Sequence, residues 1–268
     1  MRPVVRSDIP LIADRLRQAA TTGQPCPPVR DLLGDSDLDL AYAVQTRVAE
    51  SRVRDGGRVV GRKIGLTSLS VQRQFGVFQP DFGLLFADMM YASAQPVSLD
   101  RFLQPRVEAE VAFVLSRPLD NPDASVADVL RATEFVLAAI EIVDSRIADW
   151  DICITDTVAD NASSGAVVLG TTPYPLTGLD LSAVGMVLEH DGEKVSAGTG
   201  ADCMGSPVTA VAWLAREVAR RGRPLAEGEV VLSGALGPLV PVTGPGSYRA
   251  SLDGMGYVDA VFVTGTDE

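Results

Sequence analysis

Residues 105–115, Pro-Arg-Val-Glu-Ala-Glu-Val-Ala-Phe-Val-Leu, decide how the rest of the chain is read. β-Branched and apolar residues dominate this stretch, and a loop-like Leu103-Gln-Pro105 precedes it, which is the pattern of a strand. Side chains alternate along a strand, so Glu108 and Glu110 share a face with Ala112 and Val114. Val107, Ala109, Val111, Phe113 and Leu115 occupy the other face. Both faces are mostly apolar, which predicts burial on both sides. Two neighbouring carboxylates in such a place repel each other and are costly to desolvate, so positive charge belongs between them.

Residues 135–143, Phe-Val-Leu-Ala-Ala-Ile-Glu-Ile-Val, form a second apolar run, interrupted once by Glu141. Three oxygen ligands from two buried strands suit a hard divalent cation such as Mg²⁺ or Mn²⁺. E-x-E is common in strands, and an ordinary alternative stands beside the metal: Glu108 and Glu110 line a solvated face, and Glu141 ends a strand beside an Arg.

At 268 residues the chain is long enough for one large domain, with or without a small appendage. It has no apolar run of transmembrane length, and its first residues lack the apolar core of a signal peptide, so the expected setting is cytoplasmic with no membrane partner. A net charge of −12 argues against nucleic acid and repels anionic substrates at long range. An acidic substrate would therefore need a local positive field, from a metal or a few basic side chains. Cys26, Cys153 and Cys203 are odd in number and far apart, which predicts reduced thiols rather than a disulfide framework or zinc site. The single histidine, His190, sits before Asp191-Gly192, a hairpin signal, and is expected to be solvated. A Ser-His-Asp machine is then excluded unless that turn serves it, and acid–base work falls to carboxylates, Lys, Tyr or metal-bound water.

The apolar spacing predicts helices over residues 9–20 and 39–54, the second capped by Asp37 or Asp39 and ended by Asp55-Gly56-Gly57. These form an N-terminal helical portion, residues 1–57, followed by a strand-rich main domain, residues 58–268. Residues 59–66 read as the first strand. Inside it lies Lys63, one of two lysines in the chain. A buried Lys near other charges is an acid–base candidate; the plainer reading is a Lys that snorkels to the surface. Residues 67–78 read as helical and residues 79–83, Gln-Pro-Asp-Phe-Gly, as a turn, in which Asp81 would bond its own backbone. Ser125 with Asp128 is a capping-box spacing. Residues 156–165 read as a connection rich in hydroxyl and amide groups, followed by a strand over 166–169. A helix opens at Ser206-Pro207, and strands at 229–233, 248–252 and 257–263 close the chain. No G-x-G-x-x-G follows a strand, so a nucleotide fold is not supported.

Several segments together resemble one family. They are Gly61-Arg-Lys-Ile-Gly-Leu-Thr-Ser68, Gln79-Pro-Asp-Phe-Gly83, Pro105-Arg-Val-Glu-Ala-Glu110, Ala139-Ile-Glu-Ile-Val-Asp-Ser-Arg146, Asp156-Thr-Val-Ala-Asp-Asn-Ala-Ser-Ser-Gly165 and Ser233-Gly-Ala-Leu-Gly-Pro238. The chain resembles the 2-keto-4-pentenoate (2-hydroxypenta-2,4-dienoate) hydratases of the fumarylacetoacetate hydrolase superfamily, from its first helices to its last strand. The resemblance implies an α+β fold, a mixed β-sheet roll of the superfamily's C-terminal-domain type. It implies Glu108, Glu110 and Glu141 as ligands of Mg²⁺ or Mn²⁺, Lys63 and Asp81 as the acid–base pair, and Ser163 as a contact to the substrate carboxylate. One departure is Ser206, where many relatives carry His; it reads as a helix cap or a changed pocket rim.

The implied reaction is addition of water to 2-hydroxypenta-2,4-dienoate in the breakdown of aromatic compounds by meta-cleavage. The rivals are decarboxylation of 2-oxo-3-hexenedioate and hydration of a longer 2-hydroxydienoate. The resemblance also implies a homo-oligomer, with a downstream aldolase or the sister decarboxylase as a partner in a complex. A non-catalytic acidic partner protein is the rival from another class. It should lack one of Lys63, Glu108, Glu110 and Glu141, and this chain has all of them.

Overall fold

The computed structural model describes residues 8–265 except 69–71, 73–76 and 78. Three helices open it: α1 (Ile9–Thr22), α2 (Arg30–Leu33) and α3 (Leu38–Arg54). Helix α1 buries Ile12, Ala13, Leu16 and Ala19, one amphipathic stripe. The Asp37 carboxylate caps α3 by accepting from Leu40 N at 3.0 Å. Gln45 of α3 is buried, and its Nε2 donates to Phe82 O and Val158 O, both at 2.9 Å.

The strands form two mixed sheets. The first runs β2 (Asp81–Phe86), β1 (Val59–Gly65), β10 (Val230–Leu232), β5 (Arg106–Leu115), β6 (Thr133–Val143), β7 (Ser164–Leu169), β3 (Met90–Ala92), and β11 (Val240–Pro241) also pairs with β5. The second runs β4 (Pro96–Ser98), β13 (Gly256–Val263), β12 (Gly246–Leu252), β8 (Gly185–His190), β9 (Glu193–Thr199). Pairs β1–β10, β3–β7 and β4–β13 are parallel and the other pairs antiparallel. Helices α4 (Val126–Ala132), α5 (Ile154–Ala159) and α6 (Pro207–Arg220) complete the α+β architecture.

Strand β5 is buried on both faces, as its composition predicts. Val107, Ala109, Val111, Phe113 and Leu115 join the main core, which includes Leu16 of α1, Val44 of α3 and Leu214 of α6. Ala112, on the face of the glutamates, joins a smaller cluster with Leu85, Leu137, Ala139 and Leu232. The capping box at Ser125 and Asp128 is present. So is the hairpin turn, with Asp191 and Gly192 at φ 49° and 88°.

Two expectations are corrected. Residues 79–83 are not simply a turn: Asp81, Phe82 and Gly83 begin β2, which is buried along its whole length. Pro and Gly read as punctuation, but this glycine lies where another backbone approaches the strand. Residues 156–165 are not an irregular connection: they contain most of α5, a single 3-10 turn at Asn161–Ser163 and the start of β7. The helix expected over 67–78 falls mostly outside the described residues.

Candidate active site and metal centre

The β5–β6 register builds the carboxylate cluster. Glu108 stands directly opposite Glu141 across the antiparallel ladder, and Glu110 lies two residues along on the same face as Glu108. Oxygens from the three carboxylates lie within 4.8 Å of one another. Glu110 and Glu141 are fully buried, and Glu108 opens onto a cavity.

Few donors answer these charges. Gly234 N donates to Glu110 Oε2 at 2.7 Å, and Lys63 Nζ lies 3.2 Å from Glu141 Oε1. Glu110 Oε1 and Glu141 Oε2 have no hydrogen-bond partner among the described residues. Burial, and then the neighbouring carboxylates, push Glu108 up to about 7 and Glu110 well above its usual range. Burial also raises Glu141, an effect that Lys63 only partly offsets. Orphaned, buried, mutually repelling carboxylate oxygens at this spacing fit a hard divalent cation with oxygen ligands.

Strand β1 lies on the other side of β10 from β5 and carries Lys63 onto the same face. Its Nζ donates to Ala162 O at 2.9 Å. Lys63 does not snorkel; it is 3% exposed. Burial alone would lower its pKa, but Glu141, Asp81, Glu108 and Glu110 outweigh burial and raise it. The ammonium is therefore held charged beside the cluster.

Gly65 pairs with Asp81 across β1–β2, which places Asp81 on the face of Lys63. A Cβ at Gly65 would sit 2.2 Å from Asp81 Oδ1 and 3.3 Å from Lys63 Nζ, so the bare glycine leaves these two groups their space. Asp81 is 1% exposed, and burial raises its pKa against the pull of Lys63. Its Oδ1 has no hydrogen-bond partner among the described residues, while Thr157 Oγ1 lies 3.3 Å from both Asp81 Oδ2 and Ser163 Oγ.

Ser163 ends a turn in which Asn161, Ala162 and Ser163 all take left-handed φ, at 56°, 52° and 54°. Arg146 clamps that turn, donating from Nε to Asp160 Oδ1 at 2.6 Å, from Nη2 to Asp160 O at 2.6 Å and from Nη1 to Ser164 O at 2.9 Å. Asn161 adds two bonds across to Leu84, accepting from its N at 2.8 Å and donating to its O at 2.9 Å.

Lys63, Asp81, Glu108 and Ser163 thus line one cavity, with Glu110 and Glu141 behind Glu108. The six residues read as a site in the sequence, Lys63, Asp81, Glu108, Glu110, Glu141 and Ser163, are brought to this place. Three neighbours were not singled out individually: Gly234, and Thr157 and Trp150, which also line the cavity. Gly234 takes φ 101° to present its N–H to Glu110, and its place in Ser233-Gly-Ala-Leu-Gly-Pro238 was the available signal. Ser206 is the N-cap residue of α6, its carbonyl accepting from Thr209 N at 2.9 Å with no side-chain cap bond, and it is not among the described residues that line the cavity. His190 lies on β8 in the second sheet, half-buried and stacked on Tyr248 at 4.3 Å, rather than solvated.

Residues 62–263 match the family described as fumarylacetoacetate (FAA) hydrolase C-terminal. The TodF product hydratase of Pseudomonas putida F1 is 55% identical over 250 residues, 93% of each chain. The 2-keto-4-pentenoate hydratase of Burkholderia vietnamiensis is 52% identical over 256 residues, 96% of this chain and 98% of that one. Among solved structures, 4-oxalocrotonate decarboxylase from Pseudomonas putida G7, complexed with magnesium and adipate, matches with a TM-score of 0.92 at 30% identity, over 98% of this chain and 100% of that one. The chain belongs to the fumarylacetoacetate hydrolase family.

Proposed function

We infer that the protein is a divalent-metal-dependent hydro-lyase that adds water to 2-hydroxypenta-2,4-dienoate, giving 4-hydroxy-2-oxopentanoate in the meta-cleavage breakdown of aromatic compounds. The observation that carries this reading is identity above 50% to named hydratases over more than nine-tenths of both chains. The described site agrees with it. Glu108, Glu110 and Glu141 would hold Mg²⁺ or Mn²⁺, which when bound supplies Lewis-acid polarisation of the substrate's oxygens, worth several kcal/mol.

The chain's own residues account for the proton traffic. Ketonisation of the dienol removes the 2-hydroxyl proton and delivers one to C5. C4 is then the electrophilic end of an enone; water adds its oxygen there, and C3 gains a proton. Lys63 and Asp81 both reach the cavity and are assigned these transfers, worth roughly 10²–10⁴-fold. Thr157 and Ser163 hold the Asp81 side of the site, and Ser163 is assigned to the substrate carboxylate.

The rival within the family is a decarboxylase, favoured only by the match to 4-oxalocrotonate decarboxylase, at 30% identity. Purified protein is expected to consume 2-hydroxypenta-2,4-dienoate with Mg²⁺, to stop with chelator and to release no CO₂. Release of CO₂ from 2-oxo-3-hexenedioate at a comparable rate would overturn the assignment.

We further propose a cytoplasmic homo-oligomer, associated with a downstream aldolase or the sister decarboxylase. Among the described residues no helix is long and apolar enough to cross a membrane. Light scattering on the purified protein tests the oligomer, and a monomer at micromolar concentration would sink it.

A further inference from the structure

The cavity has a polar end, with Lys63, Asp81, Glu108 and Ser163, and an apolar wall of Leu66, Val77, Trp150, Ile152, Ile154 and Leu239. Among the described residues, Lys63 is the sole cationic side chain lining it. Trp150 is held there against its backbone preference. It and Asp149 both take left-handed φ, at 54° and 60°, a conformation rarely adopted by a bulky residue.

Gln104 and Arg106 maintain that conformation. Trp150 Nε1 donates to Gln104 O at 3.0 Å, and Asp149 N donates to Gln104 Oε1 at 2.8 Å. The Gln104 amide is itself fixed, donating to Ser145 O at 3.0 Å and Ile147 O at 2.8 Å. The Arg106 guanidinium lies 4.3 Å over the indole. It is not part of the cavity wall, and its charge acts on Glu108, which is. A strained aromatic supported from two sides at the edge of a reactive cavity is a side chain placed for function.

We propose that Trp150 is the specificity-determining residue for the end of the substrate remote from its carboxylate. The indole and its apolar neighbours form a subsite for a short uncharged tail and exclude a second carboxylate, which would be buried there with no cation beside it among the described residues. The proposal rests on the hydratase reading, which sends the 2-oxygen and carboxylate toward the glutamates and leaves C4 and C5 against this wall.

The test uses the full-length, Mg²⁺-loaded protein and saturated 2-oxo acids that do not react. By calorimetry, 2-oxopentanoate is expected to bind at least about tenfold more tightly than 2-oxoadipate, on the scale by which apolar pockets discriminate. Trp150→Ala uncovers Arg106 to the cavity, and this preference is expected to fall by tenfold or more. Fluorescence gives a second reading: 2-oxopentanoate changes the emission of the wild type but not that of Trp150→Phe, which retains Trp213. Should Trp150→Ala not fold, Leu239→Ala is expected to lower the same preference. Weakening of both acids by one common factor, or an emission change that survives Trp150→Phe, overturns the proposal. Binding with the expected preference in a protein that hydrates no dienoate would overturn the hydratase reading and leave the subsite standing.

Discussion

Gly83 stands directly across the β1–β2 ladder from Lys63. A Cβ at Gly83 would lie 2.3 Å from Asn161 O and 2.7 Å from Ser164 Oγ. The bare backbone is what lets the left-handed turn at Asn161–Ser163 come down onto the lysine. Gly83→Ala is expected to push that turn away, at about 1–3 kcal/mol in stability and roughly 10²-fold in turnover. Mg²⁺ affinity by calorimetry should stay near wild type. Full turnover in the folded variant would remove the turn from the scheme.

Glu108→Gln and Glu141→Gln are each expected to lose metal binding and turnover together. Glu108→Gln should also raise the thermal midpoint of the metal-free protein, because it removes one charge from a cluster of repelling carboxylates, whereas Glu141→Gln also takes away the partner of the buried Lys63 and should not. The gain is on the order of 1–3 kcal/mol, from the size of such shifts. Melting curves in chelator decide it; a Glu108→Gln variant less stable than the wild type would mean that Glu108 attracts partners in the metal-free protein.

The pH dependence has a fixed sign. Glu108 is raised from 4.5 to about 7, with Glu110 and Glu141 raised as well. Between those limits the folded protein holds more protons than the unfolded chain, so metal-free stability falls as pH rises through about 4.5 to 7. A cation competes with those protons, and its binding strengthens over the same range. The rise in melting temperature on adding Mg²⁺ should therefore be larger at pH 8 than at pH 5.5. An equal rise at both pH values would contradict the raised carboxylates.

Lys63→Ala is expected to keep its metal and lose turnover by roughly 10²–10⁴-fold. Calorimetry with Mg²⁺ and a dienoate assay on one preparation suffice. Full activity would take Lys63 out of the proton transfers.

Thr157→Val keeps the shape of the side chain and deletes the hydroxyl between Asp81 and Ser163. Its bond helps to hold Asp81 down against burial. The limb of the pH–rate profile that reports Asp81 should therefore move to higher pH, with turnover reduced about tenfold, the scale of one lost hydrogen bond. An unmoved limb would leave Thr157 as packing alone.

The sequence made the carboxylate cluster legible because β5 is apolar on both faces, so Glu108, Glu110 and Glu141 stand out as costly exceptions. Lys63 stood out for the same reason between Val60 and Ile64. Gly83 did not, since a glycine kept bare for a close approach is written the same way as a glycine in a turn. Of the left-handed residues 161–163, Asn161 alone carries a compositional hint; Ala162 and Ser163 take their φ from Arg146 and its clamp, a tertiary cause. Thr157 in a short helix and Trp150 after Asp149 look ordinary in one dimension. Their meaning comes from what faces them.

The Gln45 amide also sets an order on the history of the chain. Helix α3 leaves the ribosome before either carbonyl that it grips, since Phe82 lies 37 residues later and Val158 113 residues later. Until both have been made, the helix can pack on α1 but its polar hook has nothing to receive it. Closing this end of the molecule is thus a long-range event of the kind that slows folding. The nascent protein completes its catalytic face only after more than half of its length has been synthesised.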